Sequence, residues 1–478
     1  MNLFATVDPR PVHFMGIAGA GMSGLALLAR QQGVSITGCD NDPSGAADLA
    51  AKGVEIWRGH DPEHVRGARA VVVTAAVPGD HPELERARAL GVPVVRRADA
   101  LGQAVAGGTV VAVAGTHGKT TTTVMVTEAL AAAGRDPTGL AGGRVARWGG
   151  NARVGTGKSG LYVVEADEFD KAFLSLQPSV AVVNNVEADH LECYGGSVTA
   201  LEDAFAQFAG RARRVIVGGD DAGARRVAAR LSVPVWRVGT GADADVRIGA
   251  PVFTEQGSTA EVELPGRGGG GGGGGGGSAV TLHLQVPGLH NVRNAATALA
   301  VVHELGADLD RALNALSEFR GVGRRFERVG EARGVTVMDD YAHHPTEVQA
   351  TLAAARQAFP RRRVVAVFQP HLFSRTALHG DALGRALAAA DVVVVAPIYA
   401  AREQPLPGVS AELVARGAAR AGATTVAVRD RVSLTDRVAE TVRTGDVVFT
   451  LGAGDVTRVG PELIEKLERQ DGGRGKGA

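Results

Sequence analysis

Cysteine is nearly missing from this 478-residue chain: there are two, Cys39 and Cys193, far apart and in no metal-like spacing. That excludes a disulfide framework and suits a reducing compartment. An excess of either charge is missing too. Lys plus Arg and Asp plus Glu stand at 51 each, which leaves no electrostatic footprint for nucleic acid or an anionic membrane. Basic positions are mostly arginine, a coding bias. The most apolar window, 386–401, is broken by Asp391 and Pro397 and is too short to span a bilayer. The opening MNLFATVDPRP has neither the basic n-region nor the long apolar h-region of a signal peptide. The expectation is a soluble, cytoplasmic protein with apolar content for roughly three domains.

The strongest local signal is TVVAVAGTHGKTTTT, residues 109–123. A β-branched strand runs into Gly115, Thr116, His117 and Gly118, then into Lys119, Thr120, Thr121 and an alanine-rich helix. Strand, glycine turn and helix start make a phosphate cradle, with backbone N–H groups and the helix dipole facing the anion. Lys119 supplies a point charge and Thr120 a hydroxyl placed for Mg²⁺. The loop is a tight variant, because Val113 stands where the common pattern has glycine.

Before it, residues 11–107 alternate strand and helix patterns. Gly19, Gly21 and Gly24 satisfy G-x-G-x-x-G after the strand 12–15, and Asp40 follows the second strand as a ribose-binding acid would. The motif reports a diphosphate on a helix N-terminus, which a dinucleotide or a UDP-sugar offers; the alternative is close helix–strand packing. Residues 104–108 read as a linker.

After the cradle, strands 161–164 and 180–183 end in Glu165-Ala166-Asp167-Glu168 and in Asn184 to His190. Ligands sit at the carboxyl ends of strands in open parallel sheets, so Lys119, Thr120, Glu165 and His190 are expected to converge around a nucleotide and Mg²⁺. Residues 266–278, with ten consecutive glycines, read as a flexible loop expanding a hairpin turn between 260–264 and 279–286. Asn291 and Asn294 precede a helix expected over 295–305, as caps or as readers of a base edge. From 321 onward strands near 335–338, 364–368, 392–396 and 447–450 form another doubly wound sheet. Polar clusters end three of its strands: Asp339 to Pro345, Gln369 to Thr376 and Leu451 to Asp455.

In chain order GIAGAGMSGLA, GTHGKTTT, EADEFD, NNVEADH, GLHNVRN, GVGRRF, DDYAHHPTEV and FQPHLFSRT resemble the Mur ligases of peptidoglycan synthesis, over nearly the whole chain. The resemblance implies an α/β protein of three domains. A Rossmann-like domain at 1–107 would bind the UDP-sugar, a P-loop ATPase-like domain with a mostly parallel sheet at 108–321 would bind ATP, and a Rossmann-like domain at 322–478 would bind the amino acid and close over ATP.

It also implies roles. Lys119, Glu165 and His190 would be catalytic, with Thr120, Glu165 and His190 holding Mg²⁺. Residues 115–121, Asn291, Asn294, Arg325 and Asp340 would bind ATP. Gly19, Ala20, Gly21, Met22, Ser23, Asp40 and Asn151 would take the UDP-sugar, and Tyr341, His343, His344, His371 and Arg375 the amino acid. The expected reaction is ATP-dependent addition of L-alanine to the lactyl carboxylate of UDP-N-acetylmuramate through an acyl phosphate, by a monomer or weak homodimer. The rival within the family adds a preformed tripeptide to the same sugar. Outside it stand an oxidoreductase, resting on GAGMSG alone, and a nucleotide-dependent switch. Two positions depart from relatives: Leu372, where a second arginine is frequent, and Phe169, where serine is. No lysine occurs in 201–209, where other branches use a carbamylated one.

Overall fold

Valine-rich strands set the architecture. AVVV, VAVV and VVVV are buried along their whole length, the pattern of parallel strands covered on both faces. The computed structural model describes residues 3, 4, 6–266, 277–401 and 403–472. It holds two compact units: Met1–Ala250 with Ala260–His283 and Arg293–Val322, and Pro251–Thr259 with Leu284–Val292 and Gly323–Ala478.

The first sheet holds β1 (Val12–Met15), β2 (Ile36–Asp40), β3 (Glu55–Arg58), β4 (Ala70–Val73) and β5 (Val94–Arg96). All run parallel in the order β3-β2-β1-β4-β5. The order reverses at β1, so the glycine loop after it lies at the switch point where such sheets take ligands.

The second sheet holds β6 (Thr109–Ala114), β7 (Thr138–Val145), β8 (Gly150–Arg153), β9 (Leu161–Glu165), β10 (Val180–Val183), β11 (Arg214–Gly218), β12 (Val235–Gly239), β13 (Val246–Ile248), β14 (Val252–Thr254), β15 (Gly257–Leu264) and β16 (Ser278–Leu284). Its order is β14-β15-β13-β12-β11-β10-β6-β9-β7-β8, with β16 also pairing β15. The centre is parallel and the margins antiparallel.

The third sheet holds β17 (Glu327–Ala332), β18 (Val335–Asp340), β19 (Val364–Phe368), β20 (Val392–Val395), β21 (Thr424–Ala427) and β22 (Val447–Leu451), in the order β17-β18-β22-β19-β20-β21. It is parallel except for β17, an antiparallel edge strand that the sequence reading did not anticipate.

The α/β class and the central strands agree with expectation; three details change. The helix expected over 295–305 begins at Leu289, so Asn291 and Asn294 ride its first turns instead of preceding it. The expected linker 104–108 starts inside a helix, Arg97–Ala104, and Val105 is buried. The glycine loop lies outside the described residues from 267 to 276, although the strands flanking it pair as a hairpin should.

One part of the core positions the site. Phe173 lies 5.0 Å from both Phe205 and Phe208, edge-on to the first and stacked on the second. Both partners belong to the buried face of the helix Val198–Ala209. Phe173 thereby anchors the segment that follows Glu168, and its backbone N–H donates to the Asp167 carbonyl at 2.8 Å.

Candidate active site

At the end of β6 the chain turns through Gly115–Gly118 into the helix Lys119–Ala132. Gly118 is left-handed (φ 79°), and a Cβ there would meet Asn294 Oδ1 at 2.9 Å, so only glycine suits the position. The β10 end holds the loop from the side. Thr116 N–H donates to the Asn185 carbonyl at 3.1 Å and His117 N–H to Asn185 Oδ1 at 2.7 Å. Asn184 Nδ2 donates to Thr122 Oγ1 at 3.0 Å. His117 faces the Glu187 carboxylate at 3.5 Å, and Thr121 is buried in the helix.

Lys119 is already partnered. Its ammonium donates to the Gly115 carbonyl at 2.7 Å and to both Glu168 oxygens at 2.7 and 2.9 Å. Burial alone would lower the lysine pKa, but Glu168 and Asp167 outweigh it and hold it above the usual value. Burial pushes the Glu168 carboxyl up, against the pull of Lys119. Glu165, at the end of β9, accepts from Gly142 N–H at 2.6 Å and from the Thr120 hydroxyl, and burial raises its carboxyl as well. A Cβ on Gly142 would strike Glu165 Oε1 at 2.6 Å. Lys119 thus faces three carboxylates, Glu165, Asp167 and Glu168. Such a surplus of buried negative oxygen suits a hard cation.

His190 is left-handed (φ 54°), with Nδ1 3.5 Å from Glu192 and its ring edge-to-face on Phe169 at 5.1 Å. The departure at Phe169 therefore has a physical role: it packs the histidine. The cluster joins Lys119, Thr120 and Glu165 directly and brings in Glu168, Asn184 and Asn185, which sequence reading left without roles.

In the first sheet, Asp40 Oδ2 accepts from Ala18 N–H at 3.0 Å, bracing the glycine loop. Met22 and Ser23 N–H groups close on the Gly19 carbonyl. Asn151, on β8, donates to the Ala20 carbonyl and to Ser23 Oγ, each at 3.2 Å. Gly24 packs on Leu140 and Ala152 of the β7–β8 hairpin, so this glycine serves close packing. Arg97, missed in the sequence, lies over Gly21: its Nη1 is 2.9 Å from where a Cβ would sit. A 520 Å³ cavity lined by Thr74, Arg97, Asp167, Phe169 and Lys171, among others, opens beside it.

Asn294 keeps its place beside Gly118, whereas Asn291 Nδ2 donates to the Pro287 carbonyl at 2.8 Å. In the second unit, Asp340 accepts from Phe326 and Ala342 N–H groups at 2.7 and 2.8 Å. Burial raises its carboxyl to about 6, with Arg325 opposing. Arg325 lies over the Tyr341 ring and 3.8 Å from Glu347.

The histidine pair divides. His343 Nδ1 sits 2.9 Å from the Tyr341 carbonyl and 3.2 Å from Glu347, which fixes the Nδ1–H tautomer and leaves Nε2 as acceptor. Burial lowers its pKa, against the pull of Glu347, and Arg375 lowers it further. His344 caps the helix Pro345–Ala358 and turns its ring to His379. His371 lies 6.1 Å from His343, ring to ring, and stacks on Tyr399. Leu372 is left-handed (φ 67°) and heads the helix carrying Arg375.

Family models match the chain in three successive pieces: Mur ligase family, catalytic domain, over residues 11–109; Mur ligase middle domain over 113–302; and Mur ligase, glutamate ligase domain, over 324–454. The chain belongs to the Mur ligase family. This Mur ligase is 44% identical to the UDP-N-acetylmuramate–L-alanine ligase of Cutibacterium acnes over 96% of both chains. Among solved structures it is similar to the UDP-N-acetylmuramate–alanine ligase of Thermotoga maritima, at 29% identity and TM-score 0.79 over 96% of this chain and 99% of that one. The murein peptide ligase of Psychrobacter arcticus follows at 25% identity and TM-score 0.69, over 96% and 98%.

Proposed function

We propose that this Mur ligase joins L-alanine to the lactyl carboxylate of UDP-N-acetylmuramate, giving UDP-N-acetylmuramoyl-L-alanine, ADP and phosphate. The observation that carries the reading is the full-length match to alanine ligases, together with a phosphate loop whose lysine and strand-end carboxylates adjoin.

A carboxylate resists an amine because its leaving group would be oxide. Attack of the lactyl oxygen on the γ-phosphorus of ATP breaks the bond to ADP and makes an acyl phosphate. The alanine nitrogen then adds to the carbonyl carbon, and the tetrahedral adduct loses phosphate. Lys119 and the loop N–H groups stabilise the charge on the transferring phosphoryl. Thr120, Glu165 and His190 are the residues that would hold Mg²⁺, which when bound neutralises phosphate charge; the oxygen-rich set fits it.

Gly19–Ser23, Asp40, Asn151 and Arg97 take the sugar nucleotide, and the cavity beside Arg97 suits the muramic acid. Asn294, Asn291, Arg325 and Asp340 would bind ATP, the two asparagines by their amides at adenine. Tyr341, His371 and Arg375 receive alanine. His343 is the base: its tautomer leaves Nε2 unprotonated, and its lowered pKa keeps it neutral near pH 7. His344 supports that loop as a cap. The domains are those at 1–107, 108–321 and 322–478. Among the described residues no helix is long and apolar enough to cross a membrane, and the nucleotide substrates fit a cytoplasmic setting.

Phosphate release from Mg-ATP and UDP-N-acetylmuramate, with L-alanine, glycine, L-serine or the tripeptide added in turn, tests the reading. Release that requires L-alanine supports it; release that requires the tripeptide, or no co-substrate, overturns it.

A further inference from the structure

Outside the site described above, the first sheet buries a second cluster of chemistry-bearing side chains. His13 on β1, Cys39 on β2, His64 in the 3₁₀ turn Pro62–Val65 and Glu83 in the first turn of the helix Pro82–Ala89 offer donor atoms that all lie within 4.8 Å of one another. His13, Cys39 and Glu83 have essentially no solvent exposure. Cys39 Sγ stands 3.4 Å from His13 Nε2 and 3.4 Å from Glu83 Oε1, and that oxygen is 3.0 Å from His64 Nδ1.

We propose that His13, Cys39, His64 and Glu83 form a zinc site. Tetrahedral zinc with one sulfur, two imidazole nitrogens and one carboxylate oxygen sets its ligands about 3.3–3.6 Å apart. The three contacts given above, at 3.0–3.4 Å, fall at or just inside that range, and every pair of donors lies within 4.8 Å. The donor set matches as well: thiolate and imidazole select zinc over magnesium or calcium. Thiolate and carboxylate together cancel the two positive charges, so the filled site is neutral, as a buried site needs.

Asp61 N–H donates to Glu83 Oε1 at 3.0 Å and to His64 Nδ1 at 3.3 Å, but hydrogen bonding serves Cys39 poorly. Cys39 Sγ has His13, His60 and both Glu83 oxygens within 3.5 Å, yet a thiol has one proton to give and is a weak acceptor. The His13 ring is also oriented as a ligand's would be. Its Nδ1 lies 3.1 Å from Thr37 Oγ1 while Nε2 faces the sulfur, the arrangement in which an outer partner fixes the ligand's tautomer. His60, 3.2 Å from Glu83 Oε2, stands as that carboxylate's outer partner. On binding, the Cys39 S–H bond breaks, its proton passes to solvent and the sulfur lone pair forms the bond to zinc.

The site would clamp two strands of the sheet to a 3₁₀ turn and a helix packed beside them. The Cys39 carbonyl accepts the N–H groups of Gly16 and Ile17, where the glycine loop begins.

The test uses the full chain without a polyhistidine tag, stripped with a chelator and reloaded with Zn²⁺ or Co²⁺, and reads metal content after gel filtration together with the cobalt absorption spectrum. About one zinc per chain, and a cobalt form with tetrahedral bands and a thiolate charge-transfer band, are expected. Cys39→Ser should abolish that band, and Cys193→Ser should leave it unchanged. His64→Asn, at a partly exposed position, should keep the circular dichroism and weaken zinc binding at least tenfold. A folded wild-type chain that retains no zinc, or a cobalt spectrum indifferent to Cys39→Ser, overturns the proposal. None of these readings depends on ligase turnover, so failure here is distinct from failure of the proposed reaction.

Discussion

The Lys119 ammonium is held 2.7 Å from the Glu168 carboxylate, and Glu168 is 2% exposed. The loop proposed to bind phosphate therefore carries its own counter-ion, which an incoming phosphate would have to displace.

Replacing one partner alone leaves a buried charge unpaired, at a cost of about 3–5 kcal/mol. Lys119→Ala should lower stability by that order and ligation by about 10²–10³ or more, as for loss of one electrostatic stabiliser. Adding Glu168→Ala should recover much of the stability and none of the activity. Urea denaturation and phosphate release separate the two effects. Near-normal turnover in Lys119→Ala would remove the residue from the mechanism.

As the proposed base, His343 must be neutral to accept a proton, and burial holds its pKa below the ordinary 6.5. The rate with subsaturating L-alanine should therefore fall as pH drops through a value below 6.5. His343→Gln should remove that limb and slow turnover by about 10²–10⁴. Glu347 raises the pKa, so Glu347→Gln should move the limb to lower pH. A limb unchanged in His343→Gln would assign the base elsewhere.

Asp340 titrates at about 6 in the folded chain, against an ordinary 3.8. Between those values the folded state binds more protons than the unfolded one, so stability from this group is full below about pH 4 and is lost as pH rises through 6. The loss amounts to about 3 kcal/mol. Asp340→Asn should flatten the fall in stability between pH 4 and 6, whatever its own melting temperature; equal slopes in both proteins would contradict the shift.

Phe173 fills the space between Phe205 and Phe208. Phe173→Ala should cost about 3–5 kcal/mol, measured by urea denaturation. It should also raise the KM for ATP, because Phe173 tethers the segment that follows Glu168. A loss of stability without a change in KM would show that the anchor does not reach the nucleotide site.

Much of this was legible in the sequence. Valine runs buried on both faces can only be inner strands, and β1, β10 and β19 fall where their apolar runs do. The phosphate loop announced itself through local spacing. Edge strand β17, ERVGEA, has charged and small residues with no apolar alternation, so nothing marked it. Asn291 and Asn294 read either as caps or as readers of a base edge, and the helix opening at Leu289 rules out the cap role before a helix at 295. Glu168 was written in EADE, yet only the fold decides which of its acids meets Lys119. The metal-like cluster was invisible for a different reason. Its four ligands come from two paired strands, a 3₁₀ turn and a helix, far apart in the chain, so no spacing rule joins Cys39 to His13, His64 and Glu83.

The β7–β8 hairpin bears on both glycine loops of the first unit. At Gly142 it holds Glu165 beside the phosphate loop, and at Asn151 it grips Ala20 and Ser23 in the glycine loop. With the sugar nucleotide on Ser23, as proposed, its seating bears on the same short ribbon that holds Glu165. The eight residues between Gly142 and Asn151 thus join the loop proposed to take the acceptor to the carboxylate proposed to act where it is phosphorylated.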